Sequence, residues 1–253
     1  MRSCLFCPVR ADSLEDAWPR WITGQFKGPR PSEVRAERGG IKLKPWSTLQ
    51  PELTIRCVCR ACNNEWMSQL ETKVQSFLQP LLAGQSGTVD IASQAVIALW
   101  AVKMAMVLEG LDAMEKRMYT QEQRERLRSS AEVPWRTSIW LAASADPAWF
   151  MSTKNRHIGV AEGVAGASTT MGFGHIALQV LTIRVPESVG PKTAVTTDVR
   201  RGPWDELTVQ IWPPRATINW PPAMGVNGED GLEMLAERFN TVDYSGEIEA
   251  IAV

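Results

Sequence analysis

The chain has 253 residues, is 44% hydrophobic and carries a formal net charge of -1. This describes an ordinary soluble globular protein, long enough for one large domain or a small module joined to a medium one. No apolar run reaches the ~18–20 residues needed to span a bilayer, and five cysteines, four in paired knuckles, fit the reducing cytoplasm better than a secreted disulfide framework.

Cys4-Leu5-Phe6-Cys7 is the first C-x-x-C knuckle, and its position leaves no room for a signal peptide. Residues 23–52 are rich in Gly, Pro and charge, which predicts a long excursion with little regular structure. Leu53 to Val58 alternates Ile55 and Cys57 with Arg56, which predicts a strand with Cys57 as a small packed residue. Cys59-Arg60-Ala61-Cys62 follows and runs straight into a helical pattern. Its stripe is Trp66, Leu70, Val74, Phe77 and Leu81, with Asn63 and Asn64 as expected N-terminal caps. Two knuckles supply four thiolates, Cys4, Cys7, Cys59 and Cys62, enough to fill a tetrahedral structural zinc shell.

Gln79-Pro80 and the turn-rich segment Gly84 to Gly87 predict a break, with a second domain over residues 84–253. Asp90 to Met118 is apolar on most sides, so it predicts a buried core helix, ended or kinked at Gly110. Thr120 to Ser130 predicts a charged, solvated helix. From Pro134 the pattern turns to strands at Thr137–Ala143, His175–Val185 and Leu207–Trp212. Gly159 to Gly174 is expected to form a hairpin connection or loop. The echo Trp212-Pro213-Pro214 and Trp220-Pro221-Pro222 suits terminated edge strands. Glu229 to Phe239 predicts a final amphipathic helix, and Asp243 to Val253 a peripheral strand or partly ordered tail. The fold class is therefore α+β, with a buried helix and antiparallel strands in the larger domain. Neither histidine, His157 or His175, has a histidine partner at ligand spacing, and His175 reads as a hydrogen-bonded structural residue.

Charge is unevenly spread. Residues 1–75 hold 12 Lys/Arg against 8 Asp/Glu, and the remainder 15 against 20. A basic module is compatible with a phosphate-bearing partner. Tryptophans 18, 21, 46 and 66 fall in this region, where indoles pack a small core or stack on bases.

Knuckle, excursion, strand, knuckle and helix together resemble a treble clef, and more narrowly the ββα-metal module of the HNH endonuclease family. The resemblance covers roughly residues 1–75 and places the module at residues 1–83. Glu15-Asp16-Ala17-Trp18-Pro19 stands where the family has an acidic-His-x-x-Pro segment, and Cys59-x-x-Cys62-Asn63 stands for the second knuckle. It implies a nucleic-acid partner, DNA or RNA, with Arg20, Arg56 and Arg60 as phosphate contacts. It also implies Glu15, Asp16 and Asn63 at the reaction centre, beside a second divalent ion such as Mg²⁺ or Mn²⁺. In the family the histidine takes a proton from the attacking water. Asp16 replaces it here, and an ionised carboxylate is a weaker base by ~2–3 pK units. The expected outcome is a nuclease scaffold whose chemistry is lost or altered. The alternatives are an enzyme of another reaction class on the same scaffold and a non-catalytic protein-binding module.

Overall fold

In the computed structural model the described residues are 3–26, 32–34, 37–38, 41–42, 46–48, 54–111, 117–144, 151–161, 164–184, 193–195, 204–239 and 250–252. Helices and strands both occur throughout. The chain opens with β1 (Ser13–Asp16) and α1 (Arg20–Thr23). Within the excursion lie β2 (Ser32–Val34), β3 (Glu37–Arg38), β4 (Ile41–Lys42) and β5 (Trp46–Thr48), paired β2 with β5 and β3 with β4. The excursion therefore holds short antiparallel pairs where little regular structure was expected. Next come β6 (Thr54–Val58), α2 (Arg60–Cys62) and, after a π-helical turn at Asn63–Met67, α3 (Ser68–Leu82). Then follow β7 (Gly87–Val89), α4 (Ile91–Glu109), α5 (Gln121–Ser130) and β8 (Thr137–Ala143).

The remaining elements are β9 (Met151–Ala161), β10 (Val164–Phe173), β11 (Ile176–Arg184), β12 (Thr193–Val195) and α6 (Trp204–Leu207). They end with β13 (Val209–Trp212), β14 (Ile218–Trp220), α7 (Gly228–Glu237) and β15 (Ala250–Ala252).

Two compact units divide the chain: Met1–Ser76 with Leu99–Val133, and Phe77–Ala98 with Pro134–Val253. The first unit thus takes in the second half of α4 and all of α5. In this unit β1 pairs antiparallel with β6, Ser13 opposite Val58 and Asp16 opposite Thr54. The helix following β6 buries Met67, Val74 and Leu78. Of the expected stripe, Val74 and Leu81 are buried, Trp66 and Leu70 are half-buried and Phe77 is exposed, with Met67 and Leu78 buried beside them. The expected caps Asn63 and Asn64 lie inside the helix. The N-cap is Cys59, whose Sγ accepts from the Cys62 amide at 3.4 Å. Pro80 is accommodated within α3.

Helix α4 is buried on nearly every side through Trp100, Val102, Met104 and Met106, and it ends before Gly110. By length and composition it is the one described helix apolar enough to cross a membrane, but 72% of it is buried inside the protein. It is a core helix. Phe6 meets Trp66 edge-on at 5.0 Å and Trp21 meets Trp100 at 6.1 Å, so two of the tryptophans serve packing. Helix α5 has a full capping box between Thr120 and Gln123. It is not wholly solvated: Arg124 and Leu127 are buried.

The second unit centres on a five-stranded antiparallel sheet in the order β13-β8-β11-β10-β9. The stretch Gly159–Gly174, expected as a hairpin connection or loop, is largely strand and joins the β9–β10 antiparallel pair, with Ser168 to Thr170 buried and paired on both sides. Small and hydroxylated side chains fit the space beneath α7, which packs on this sheet through Leu232 and Leu235 against Ala142 and Ala177. Both Trp-Pro-Pro echoes end strands, β13 at the sheet edge and β14 paired with β7. Gly84, at φ +73°, ends α3 with no side chain, and a Cβ there would lie 3.1 Å from the His175 ring. His175 Nδ1 is 3.3 Å from the Ser144 carbonyl oxygen, and the Ser144 amide donates to the His175 carbonyl at 2.9 Å. Of the tail, Ala250–Ala252 pairs with β12, and the other residues expected there lie outside the described residues.

Candidate metal centre and a buried lysine between two carboxylates

Each knuckle is shaped by its backbone before any metal is considered. The Cys4 amide donates to the Val9 carbonyl at 2.7 Å, closing the first knuckle, and the Leu5 amide donates to Cys57 O at 2.8 Å, tying it to β6. The strand then delivers Cys59 to the helix start. All four sulfurs, of Cys4, Cys7, Cys59 and Cys62, lie within 4.8 Å of one another, and all four residues are buried. Cys7 Sγ is 3.6 Å from Cys59 Sγ and 3.7 Å from Cys62 Sγ. Four thiolates about 2.3 Å from a tetrahedral ion stand about 3.8 Å apart, so the set fits a metal ion. Backbone amides of Phe6 and Cys62 donate to Cys4 Sγ and Cys59 Sγ, each at 3.4 Å, orienting the sulfurs as outer-shell partners do. Burial works against ionisation of Cys59, but the Cys62 amide and the neighbouring thiols outweigh it and hold its pKa below the ordinary value. Cys57 stands outside the cluster. Burial, reinforced by the Glu15 charge, pushes its thiol up to about 12, so it is a packing residue and a poor nucleophile.

Glu15 and Asp16 are neighbours on a strand, so their side chains leave on opposite faces. Glu15 points inward to Lys103, whose Nζ donates to Glu15 Oε1 at 2.6 Å and to Glu71 Oε1 at 2.7 Å. Lys103 is fully buried and Glu71 25% exposed. Asp16 faces outward and pairs with Arg20 Nε at 3.1 Å. Asn63 donates through Nδ2 to Ser13 Oγ at 3.0 Å and to Leu14 O at 2.9 Å, locking β1 to the helix. Each of the three expected centre residues therefore has its own separate partner. Arg60 is exposed and leans on Asp12, which also caps its backbone amide at 3.0 Å. Arg56 is exposed and has no ion pair among the described residues.

Two functional-looking features escaped the sequence. The first is the meeting of Lys103 with Glu15 and Glu71, residues far apart in the chain. The signal was present, because a lysine surrounded by apolar helical neighbours must find carboxylates to be buried at all. A second buried pair joins Arg124 to Glu109, whose carboxylate also accepts from the Met118 and Tyr119 amides. Beside the first cluster, Asn63, Asn64, Met67, Ser68 and Glu71 line a cavity of about 300 Å³. A groove of about 450 Å³ runs past the knuckles between Val9, Asp12, Arg60 and Arg128. Neither a family model, a curated protein nor a solved structure matches the chain.

Proposed function

We propose that Cys4, Cys7, Cys59 and Cys62 hold a structural zinc ion in a treble-clef module of HNH-like type, and that this module binds nucleic acid, DNA or RNA, without cleaving it. Zinc is favoured by the all-thiolate donor set, which suits that ion better than the hard cations. The order β1, β6, helix, with one knuckle before the strands and one at the helix start, supports the treble-clef reading. Support for a phosphate-bearing partner comes from the basic excess of residues 1–75 and the exposure of Arg20, Arg56 and Arg60.

The absence of cleavage is carried by one observation: both acids of the Glu15-Asp16 pair are already neutralised. The Lys103 ammonium occupies the place beside Glu15 that a divalent ion would need, and Arg20 holds Asp16. A second Mg²⁺ or Mn²⁺ has no free acidic pair to bind there, and no histidine stands at the position of the family's base.

The test joins a binding measurement to a cleavage assay on single-stranded DNA, double-stranded DNA and RNA, with Mg²⁺ and Mn²⁺. The parent should bind with an affinity that falls as salt rises, and cut nothing. Asp16→His should not restore cleavage, because Glu15 remains locked. Cleavage by the parent that disappears in Asp16→Asn would overturn the proposal, as would failure to bind any of the three.

A further inference from the structure

The Lys103 cluster is not electrically balanced. Two carboxylates, Glu15 and Glu71, meet one ammonium, which leaves a formal charge of -1. Lys103 is enclosed and cannot turn outward, and it takes only one oxygen of Glu71, at 2.7 Å. Glu71 in turn lines the cavity of about 300 Å³, so its carboxylate is the one acidic group on that lining. Asn63 spends its donor group on Ser13 and Leu14, which leaves its Oδ1 as an acceptor. Among the described residues, neither the Asn64 side chain nor the Ser68 hydroxyl has a hydrogen-bond partner. The π turn at Asn63–Met67 widens the helix here, a device frequent at functional sites.

We propose that this cavity binds a small organic cation carrying a primary ammonium group. Glu71 supplies the counter-charge, and Asn63, Asn64 and Ser68 accept or share the remaining N–H bonds. An ammonium offers three donors, which matches a site of acceptors. A divalent metal fits less well: one carboxylate with an oxygen already committed, beside the Met67 thioether, falls short of the six or more oxygens such ions take. The volume suits a compact free amine, at the small end of ligand cavities. The inference is independent of the nucleic-acid reading.

The test is calorimetric titration of the full zinc-loaded chain with putrescine, ethylammonium and tetramethylammonium at physiological salt. Tetramethylammonium carries the charge but no N–H, so it separates hydrogen-bonded recognition from counter-ion attraction. Putrescine and ethylammonium should each saturate one site, and tetramethylammonium should not bind. Ser68→Phe, at an exposed position, should fill the cavity and weaken putrescine by at least about tenfold, with zinc content and circular dichroism unchanged. Glu71→Gln should weaken it likewise. The proposal is overturned by no saturable amine binding in the parent, equal binding of tetramethylammonium, or undiminished affinity in Ser68→Phe. Mg²⁺ binding that depends on Glu71 in place of the amine would overturn it too.

Discussion

A fully buried ammonium is tolerated only when both its charge and its N–H groups are met. Lys103 meets this condition through Glu15 and Glu71. Replacing it by Met leaves two carboxylates facing each other with no cation between them. Lys103→Met should therefore lower stability by about 3–5 kcal/mol, read from denaturant midpoints. Adding Glu15→Gln to it should recover part of the loss. Burial alone would lower the Lys103 pKa, but the two carboxylates outweigh it and hold the amine above its ordinary 10.5. A raised pKa on a cationic group means its stabilisation is complete below the ordinary value and fades only as pH climbs through the folded one. The difference between parent and Lys103→Met should thus stay flat from about pH 7 to about pH 9. A difference that collapsed within that range would show that Lys103 is not held charged.

Helix α4 ends where it must, against the first knuckle. A Cβ on Gly110 would stand 2.7 Å from the Val107 carbonyl oxygen and 3.3 Å from Leu5 Cδ1. Gly110→Ala should cost about 1–3 kcal/mol through overpacking, whereas Gly87→Ala, with nothing within 4 Å of its Cβ, should be far milder. Thermal melts of the two variants would check this, and equal melting points would refute it. At this scale the sequence was most informative where pattern is local. The strand Thr137–Ala143 has the boundaries expected from its alternation, and the last helix, Gly228–Glu237, shows its apolar face. It misled at β10, where Gly, Ala, Ser and Thr resemble loop composition. Pairing on both sides, with small side chains under α7, overrode propensity there. In α3 the sequence was right at Val74 and Leu81, which are buried, and missed at Phe77, which is exposed while its neighbour Leu78 is buried.

For the molecule as a whole, the four cysteines were legible because ligand spacing is written within two short segments. The charge cluster was not, because Lys103 lies 88 residues from Glu15 and 32 from Glu71, and nothing local announces the meeting. The metal should govern the first unit, since binding free energy in such a site is folding free energy. Stripping the ion with a chelator should melt β1, β6 and the knuckles, seen as lost amide protection at Leu5 and Cys62. Cys62→Ser should behave as the stripped protein does, and Cys57→Ser should keep one zinc per chain. Full zinc stoichiometry in Cys62→Ser would remove that cysteine from the ligand set.

The interleaving of the two units along the chain sets a schedule for synthesis. On the ribosome, all four thiolates exist once Cys62 has emerged, so the ion can close the knuckles early. The first unit nevertheless waits for Leu99–Val133, and with it for Lys103. At typical translation speeds of roughly 5–20 residues per second, Glu15 and Glu71 spend several seconds without their counter-ion. During that interval the nascent chain holds a metal-bound knuckle pair whose carboxylates are still open to solvent, protons or any passing cation.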